Sequence, residues 1–144
     1  RLYALNESNG SVASFAIDAK TGGLTPLHTV SMLPAGYKSV PTAADIHITG
    51  DGRRLYASER TESFLAIFNV DPASGGMVLV DTVRTEESPR GFAIDSSDGF
   101  LLCVGQFSGA LSVYSIDGQT GRLTRTDRRQ IGPNANWVEI IDLH

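Results

Sequence analysis

The sequence predicts an all-β fold, a β-propeller of four-stranded antiparallel blades, and three observations predict it. Residues 2–30 align without gaps to residues 55–83 at a shift of 53, and these align to residues 101–129 at a shift of 46. A sequence that repeats at this length is first suspected of a repeat architecture. Within the units, apolar residues alternate with period two, as Phe64, Ala66, Phe68 and Val70 do against Leu65, Ile67 and Asn69. That period belongs to strands and fits no helix. Each unit also carries an Asp followed by a Gly-containing turn at the same offset, Asp18, Asp71 and Asp117, where the aspartate is a turn former. Four strands in a repeat of this size is the blade of a propeller.

The elements follow in chain order. Residues 1–30 hold three strands of a blade that lacks its inner strand. An enlarged loop marked by Pro34, Gly36 and Pro41 precedes a full blade at 43–83. Its inner strand A spans 44–49, B 54–58, C 64–70 and D 77–83, with turns at Gly50–Gly52 and at Asp71–Gly76. A second full blade spans 90–129, and a lone inner strand is expected at 137–142. Ring closure takes about four to eight blades, so these three are expected to be the C-terminal part of one propeller domain, residues 1–144. The preceding blades are expected before Arg1, and the last strand is expected to complete the first blade.

Bulk properties narrow the function classes. Hydrophobic residues make up 41% of the chain, and 12 Lys+Arg against 16 Asp+Glu leave a net charge of −4. No basic cluster of the kind that phosphate backbones need is present, so no nucleic-acid partner is expected. No apolar run approaches the roughly 20 residues of a membrane span, and no membrane partner is expected. Cys103 is the sole cysteine and sits in the apolar run Leu101–Val104, which excludes an internal disulfide and reads as a packing thiol. Nucleotide, zinc-protease, serine-hydrolase and calcium motifs are all missing; no metal site and no cofactor are expected.

Comparing equivalent positions between repeats isolates the candidate site. At the end of strand B the slot holds Glu7, Arg60 and Gln106, an acid, a base and an amide, where a slot used for turn geometry keeps one residue type. At the start of strand A the slots hold Ala44, Arg90 and Asn136, then Asp45, Gly91 and Trp137, and two residues further His47, Ala93 and Glu139. In a propeller the D-to-A and B-to-C loops emerge on one face around the channel mouth, so these slots converge. Solvated loop charges compete as a reading for Glu7 and Arg60, a strand cap for Arg90, and a hydrogen-bonded structural histidine for His47.

Several short motifs in order carry a resemblance that runs through the chain. They are LNE at 5–7, AADIHITGDGRRLYA at 43–57 with SERT at 58–61, SPRGF at 88–92, VGQ at 104–106 and NWV at 136–138. In these the chain resembles the C-terminal half of the seven-bladed β-propeller lactonase family, the one that includes the bacterial propeller-type 6-phosphogluconolactonases. The resemblance departs at the turn Ser96–Gly99, and at Asn134–Asn136 before Trp137. It implies a cytoplasmic enzyme that hydrolyses a sugar lactone, 6-phospho-D-glucono-1,5-lactone to 6-phosphogluconate, in the pentose phosphate pathway. Muconate-lactonising cycloisomerase and a non-catalytic binding platform are the alternatives. It implies catalytic roles for Glu7, Arg60 and His47, and substrate-binding roles for Arg90, Gln106, Asp45 and Trp137. A further histidine of the family falls in an earlier blade. Water attack on the lactone carbonyl needs a base and an oxyanion stabiliser. Glu7 or His47 is the expected base, and Arg60 and Arg90 the expected cations; a glutamate set between arginines is a weakened base, so the choice between Glu7 and His47 stays open.

Overall fold

The computed structural model describes residues 1–141. Its strands are β1 (Leu2–Asn6), β2 (Ser11–Ile17), β3 (Leu24–Ser31), β4 (Ala43–Ile48), β5 (Arg54–Glu59), β6 (Phe64–Val70), β7 (Met77–Arg84), β8 (Pro89–Ile94), β9 (Phe100–Gly105), β10 (Ala110–Ile116) and β11 (Leu123–Gln130). They form three antiparallel meanders, β1-β2-β3, β4-β5-β6-β7 and β8-β9-β10-β11. The all-β, blade-built architecture expected from the repeat is the one observed, and no helix among the described residues is long and apolar enough to cross a membrane.

The period-two pattern of the middle blade divides its side chains between two cores. Leu55, Ala57, Phe64, Ala66, Phe68, Val70 and Met77 pack with Val12 and Met32 of the first blade. Tyr56, Leu65 and Ile67 face the other way and pack with Phe92, Leu101, Cys103, Tyr114 and Leu123 of the third. Burying a side chain such as Phe68 or Leu65 contributes about 1.5–3 kcal/mol. Cys103 is buried among them, and burial pushes its thiol up to about 12, which fits a packing role.

Latches between blades recur at the sheet ends that carry the A–B and C–D turns. Arg54 donates from Nη2 to the Gln119 carbonyl, as Arg1, its repeat equivalent, donates to the Ala73 carbonyl. Gly121 and Gly75 follow in the two turns, and both have positive φ. At Gly121 a Cβ would lie 2.5 Å from Arg54 Cδ, so only glycine admits the arginine. Tyr56 Oη also donates to the Gly121 carbonyl at 2.8 Å, and the Gly50 N–H donates to both Asp98 carboxylate oxygens at 3.0 and 2.9 Å.

Two kinds of β-bulge shape the blades. One falls at the same repeat position in each C–D pair, after Ser14, Ile67 and Val113. The other interrupts the start of the inner strands, between Ala43 and Ile46 and between Pro89 and Gly91, which leaves Ala44, Asp45 and Arg90 out of the ladder. A bulge re-aims the side chains it carries. The strand expected at 137–142 is not observed over residues 137–141. A strand requires a ladder partner, and no described strand pairs with this segment; residue 142 lies outside the described residues.

Replacing Tyr56 with Phe leaves the Gly121 carbonyl without its buried donor. Such a loss costs about 1–2 kcal/mol, and a lowered denaturation midpoint at unchanged slope in chemical unfolding of the full-length protein would register it.

Candidate functional site

The loop between β5 and β6 is held from beneath by a buried acid. Glu59 is 0% exposed; its Oε1 accepts the N–H groups of Thr42 and Thr61, each at 2.9 Å, and its Oε2 accepts that of Glu62 at 2.7 Å. A carboxylate surrounded by backbone donors is a strong, charge-assisted anchor. It fixes Arg60, whose N–H and Nε both donate to the Thr42 carbonyl, at 3.1 and 3.2 Å. Thus positioned, Arg60 reaches back across the blade boundary and donates from Nη2 to Glu7 Oε1. The arginine side chain is 20% exposed and the glutamate 62%, so this ion pair is half open to water.

Around the pair lies a cleft of about 280 Å³ lined by Glu7, Ala43, Ala44, Arg60, Arg90, Asn136 and Trp137. Arg90 is the bulge residue of β8, and its guanidinium has no partner among the described residues. The far wall depends on Gly91: a Cβ there would lie 2.7 Å from the Asn136 carbonyl oxygen and 3.3 Å from Trp137 Cα. Its absence lets the terminal segment cross the start of β8. Trp137 is 69% exposed, with Nε1 donating to Glu139 Oε2 at 3.4 Å.

Gln106 stands beside this cleft and not in it. It lines a second hollow of about 330 Å³ together with Thr42, Arg60, Thr61, Ser63, Glu87, Ser88 and Phe107, so Arg60 is the wall between the two. A larger groove of about 480 Å³ runs past His28, Asp71 and Met77; the aspartate in it is already committed to its own turn.

Asp45 and His47 line neither cleft. Asp45 Oδ2 accepts the Phe92 N–H at 3.0 Å and lies 3.2 Å from His47 Nε2, while Oδ1 accepts the Ile46 N–H at 2.9 Å. This carboxylate therefore ties the inner strand of one blade to that of the next. His47 stacks edge-on against Phe92 with ring centroids 4.8 Å apart. Burial pushes the Asp45 carboxyl up, but the hydrogen bonds from His47 and Phe92, the imidazole charge and the Ile46 N–H outweigh it and hold the group below its ordinary value.

Two acids that the repeat comparison did not single out prove central. Glu59 occupies a slot that holds Asn6 in the first blade and Gly105 in the third. At Gly105 a Cβ would lie 2.5 Å from Glu86 Cβ, and that space admits Glu86, which is 4% exposed. Glu86 accepts from Ser112 Oγ at 2.5 Å and from Arg128 at 2.8 and 3.0 Å. Burial raises its carboxyl; the Arg128 and Ser112 bonds lower it further, so the net direction is down. The changing residue type of the slot was the available signal.

Residues 1–140 match the family model described as a seven-bladed β-propeller lactonase. The chain belongs to that family. Among its curated relatives, the 6-phosphogluconolactonase of Serratia proteamaculans is 43% identical over 139 residues, which are 96% of this chain and 42% of the relative. The 6-phosphogluconolactonase of Pectobacterium carotovorum is 41% identical over 98% of this chain and 42% of its own length. Among solved structures, a protein from Lactobacillus plantarum superposes with a TM-score of 0.90 at 30% identity, covering 97% of this chain and 41% of that one. The periplasmic gluconolactonase of Pseudomonas aeruginosa gives 0.84 at 31% identity, with 93% and 38% covered. The chain thus spans about two-fifths of the length of the lactonases it matches.

Because folding holds the Asp45 carboxyl below its unfolded value, the stability it contributes is complete above the unfolded carboxylate range, about 3.9. That contribution is lost as pH falls through the folded value. Asp45→Asn is expected to flatten the acid limb of a stability-against-pH curve. Glu59→Ala, which strands three N–H groups, is expected to cost about 3 kcal/mol or more, read as the shift in chemical unfolding.

Proposed function

We propose that the full-length protein containing this chain hydrolyses a sugar δ-lactone, 6-phospho-D-glucono-1,5-lactone to 6-phosphogluconate, as a cytoplasmic step of the pentose phosphate pathway. The observation that carries this reading is the convergence of Glu7, Arg60 and Arg90 from three successive blades on one cleft, in a chain whose curated relatives are 6-phosphogluconolactonases. Residues 1–30, 43–83 and 90–129 serve as three blades of a seven-bladed ring, and 137–142 would become its closing inner strand once the first blade supplies a ladder partner. Three blades of seven agree with the 42% of each relative that the chain covers. The remaining blades would complete the channel mouth and bring the family's further histidine.

Hydrolysis begins with water adding to the lactone carbonyl, which places negative charge on the carbonyl oxygen. Arg60, half-buried and fixed by the Thr42 carbonyl, is preorganised to receive that charge on guanidinium nitrogens that Glu7 leaves free. Arg90, unpartnered across the cleft, suits the phosphate, which a guanidinium grips bidentately. Glu7 is the base this geometry favours, since its carboxylate lies in the cleft and can take the proton from water as the C–O bond forms. Collapse of the tetrahedral intermediate then breaks the ring C–O bond, and the proton passes to the departing hydroxyl. Trp137 offers an exposed ring as the opposite wall. His47 and Asp45 act from outside the cleft, setting the spacing of β4 and β8 and so of Ala44 and Arg90.

In the full-length protein, Glu7→Gln and Arg60→Ala are each expected to lower kcat for lactone hydrolysis by about 10²-fold. A pH-stat assay, corrected for spontaneous opening of the lactone, measures this; near-normal rates in both variants would remove the assignment.

A further inference from the structure

The turn that precedes strand C enters the left-handed region in every blade. Gly10 has φ 59° and Gly109 φ 62°, and the equivalent residue of the middle blade is Ser63, with φ 58°. Glycine enters this region without strain, whereas a side chain is strained there. In the flanking blades a side chain would also collide: a Cβ at Gly10 would lie 2.8 Å from Leu33 Cδ2, and one at Gly109 2.6 Å from the Gly132 carbonyl oxygen. Only the middle blade holds open space at this position, and that space is the hollow beside Arg60.

A second strained serine faces the same hollow. Ser88 has φ 54° and is 5% exposed, and its N–H donates to Ser63 Oγ at 3.1 Å. The Ser63 O–H donates to the Arg60 carbonyl over a long 3.4 Å, a bond that a ligand oxygen in the hollow can replace, and one acceptor lone pair of the hydroxyl is left open. The Gln106 side-chain amide has no partner among the described residues, and the Phe107 ring is 69% exposed at the rim. Strain in non-glycine residues gathers where a ligand is gripped.

Charge tells the two hollows apart. The first has two guanidinium groups against one carboxylate, Arg60 and Arg90 with Glu7, and suits an anion. The second has one of each, Arg60 and Glu87, among hydroxyls and an amide. That set suits neutral hydroxyl groups, with the Phe107 face against sugar carbons. Arg60 belongs to both.

We propose that the second hollow is the subsite for the sugar's ring hydroxyls, with Ser63 and Phe107 as substrate-binding residues. This rests on the lactonase reading. A lactone carbonyl carbon is flanked on one side by the ring oxygen, toward the phosphate-bearing carbon, and on the other by the hydroxyl-bearing carbons. With the carbonyl at Arg60, the phosphate reaches Arg90 and the hydroxyls enter the second hollow.

Ser63→Gly removes the hydroxyl and relieves the strain but leaves the Ser88 N–H without its acceptor. Chemical unfolding of the variant is therefore measured beside its kinetics, and Phe107→Ala supplies a second test that leaves this bond in place. In the full-length protein, Ser63→Gly and Phe107→Ala are expected to raise KM about fivefold to tenfold for phosphorylated and unphosphorylated gluconolactone alike. Their kcat is expected to stay within about twofold. Arg90→Ala is expected to raise KM for the phosphorylated lactone alone. Unchanged KM in both Ser63→Gly and Phe107→Ala, or a rise confined to the phosphorylated substrate, would overturn the subsite while leaving the lactonase reading intact. Titration calorimetry with gluconate and 6-phosphogluconate gives the same comparison if turnover is absent. An inactive parent, or Glu7→Gln and Arg60→Ala at full rate, would strike the lactonase reading instead.

Discussion

A four-stranded sheet with apolar residues on both faces must be covered twice, and this requirement organises the molecule. In the middle blade it is met: β5 is buried from Leu55 to Glu59, and β6 apart from Asn69. The flanking blades each have one covered face, and large apolar residues such as Ile17, Leu24 and Phe100 remain half exposed on them. Stacking therefore supplies the stability that no blade has alone. It also brings loops of neighbouring blades within side-chain reach, which is what makes a shared cleft possible.

The cleft residues are held by a scaffold of paired opposites. Glu59 fixes the loop from below, the Thr42 carbonyl fixes the arginine head, and Glu7 closes the arrangement from the next blade. The last two contacts join residues 18 and 53 apart in sequence. Between the blades the Asp45 carboxylate spans two inner strands. Arg60 sits where these constraints meet, so its position is set by two blades and not by one loop.

Much of this was legible in the sequence. The repeat alignment carried the blade pattern, because a period of two residues and a turn aspartate are local properties. It also carried the grouping of Glu7, Arg60, Arg90 and Trp137, since equivalent slots of stacked sheets must converge. It grouped Gln106 with them, whereas the structure puts this residue in a second hollow on the other side of Arg60. Asp45 and His47 lie next to cleft residues in sequence yet pack against Phe92 of the next inner strand, because bulges at the inner-strand starts decide which way each side chain leaves the ladder. Glu59 and Glu86 were missed for a related reason: their worth lies in backbone donors and an arginine that only the folded chain brings to them. The terminal inner strand was read from the recurrence of its segment between repeats, and no described strand lies beside that segment to form a ladder with it.

The serine at the left-handed position has a bearing on how such a site arises. Repeats descended from a common unit start with the same glycine turn, and glycine and serine codons can differ at one nucleotide. A change that collides with Leu33 in one copy or with Gly132 in another finds room in the third. Duplication thus gives a fold several trials of the same mutation in different surroundings. The copies that reject it go on maintaining the architecture, while the one that accepts it is free to acquire chemistry.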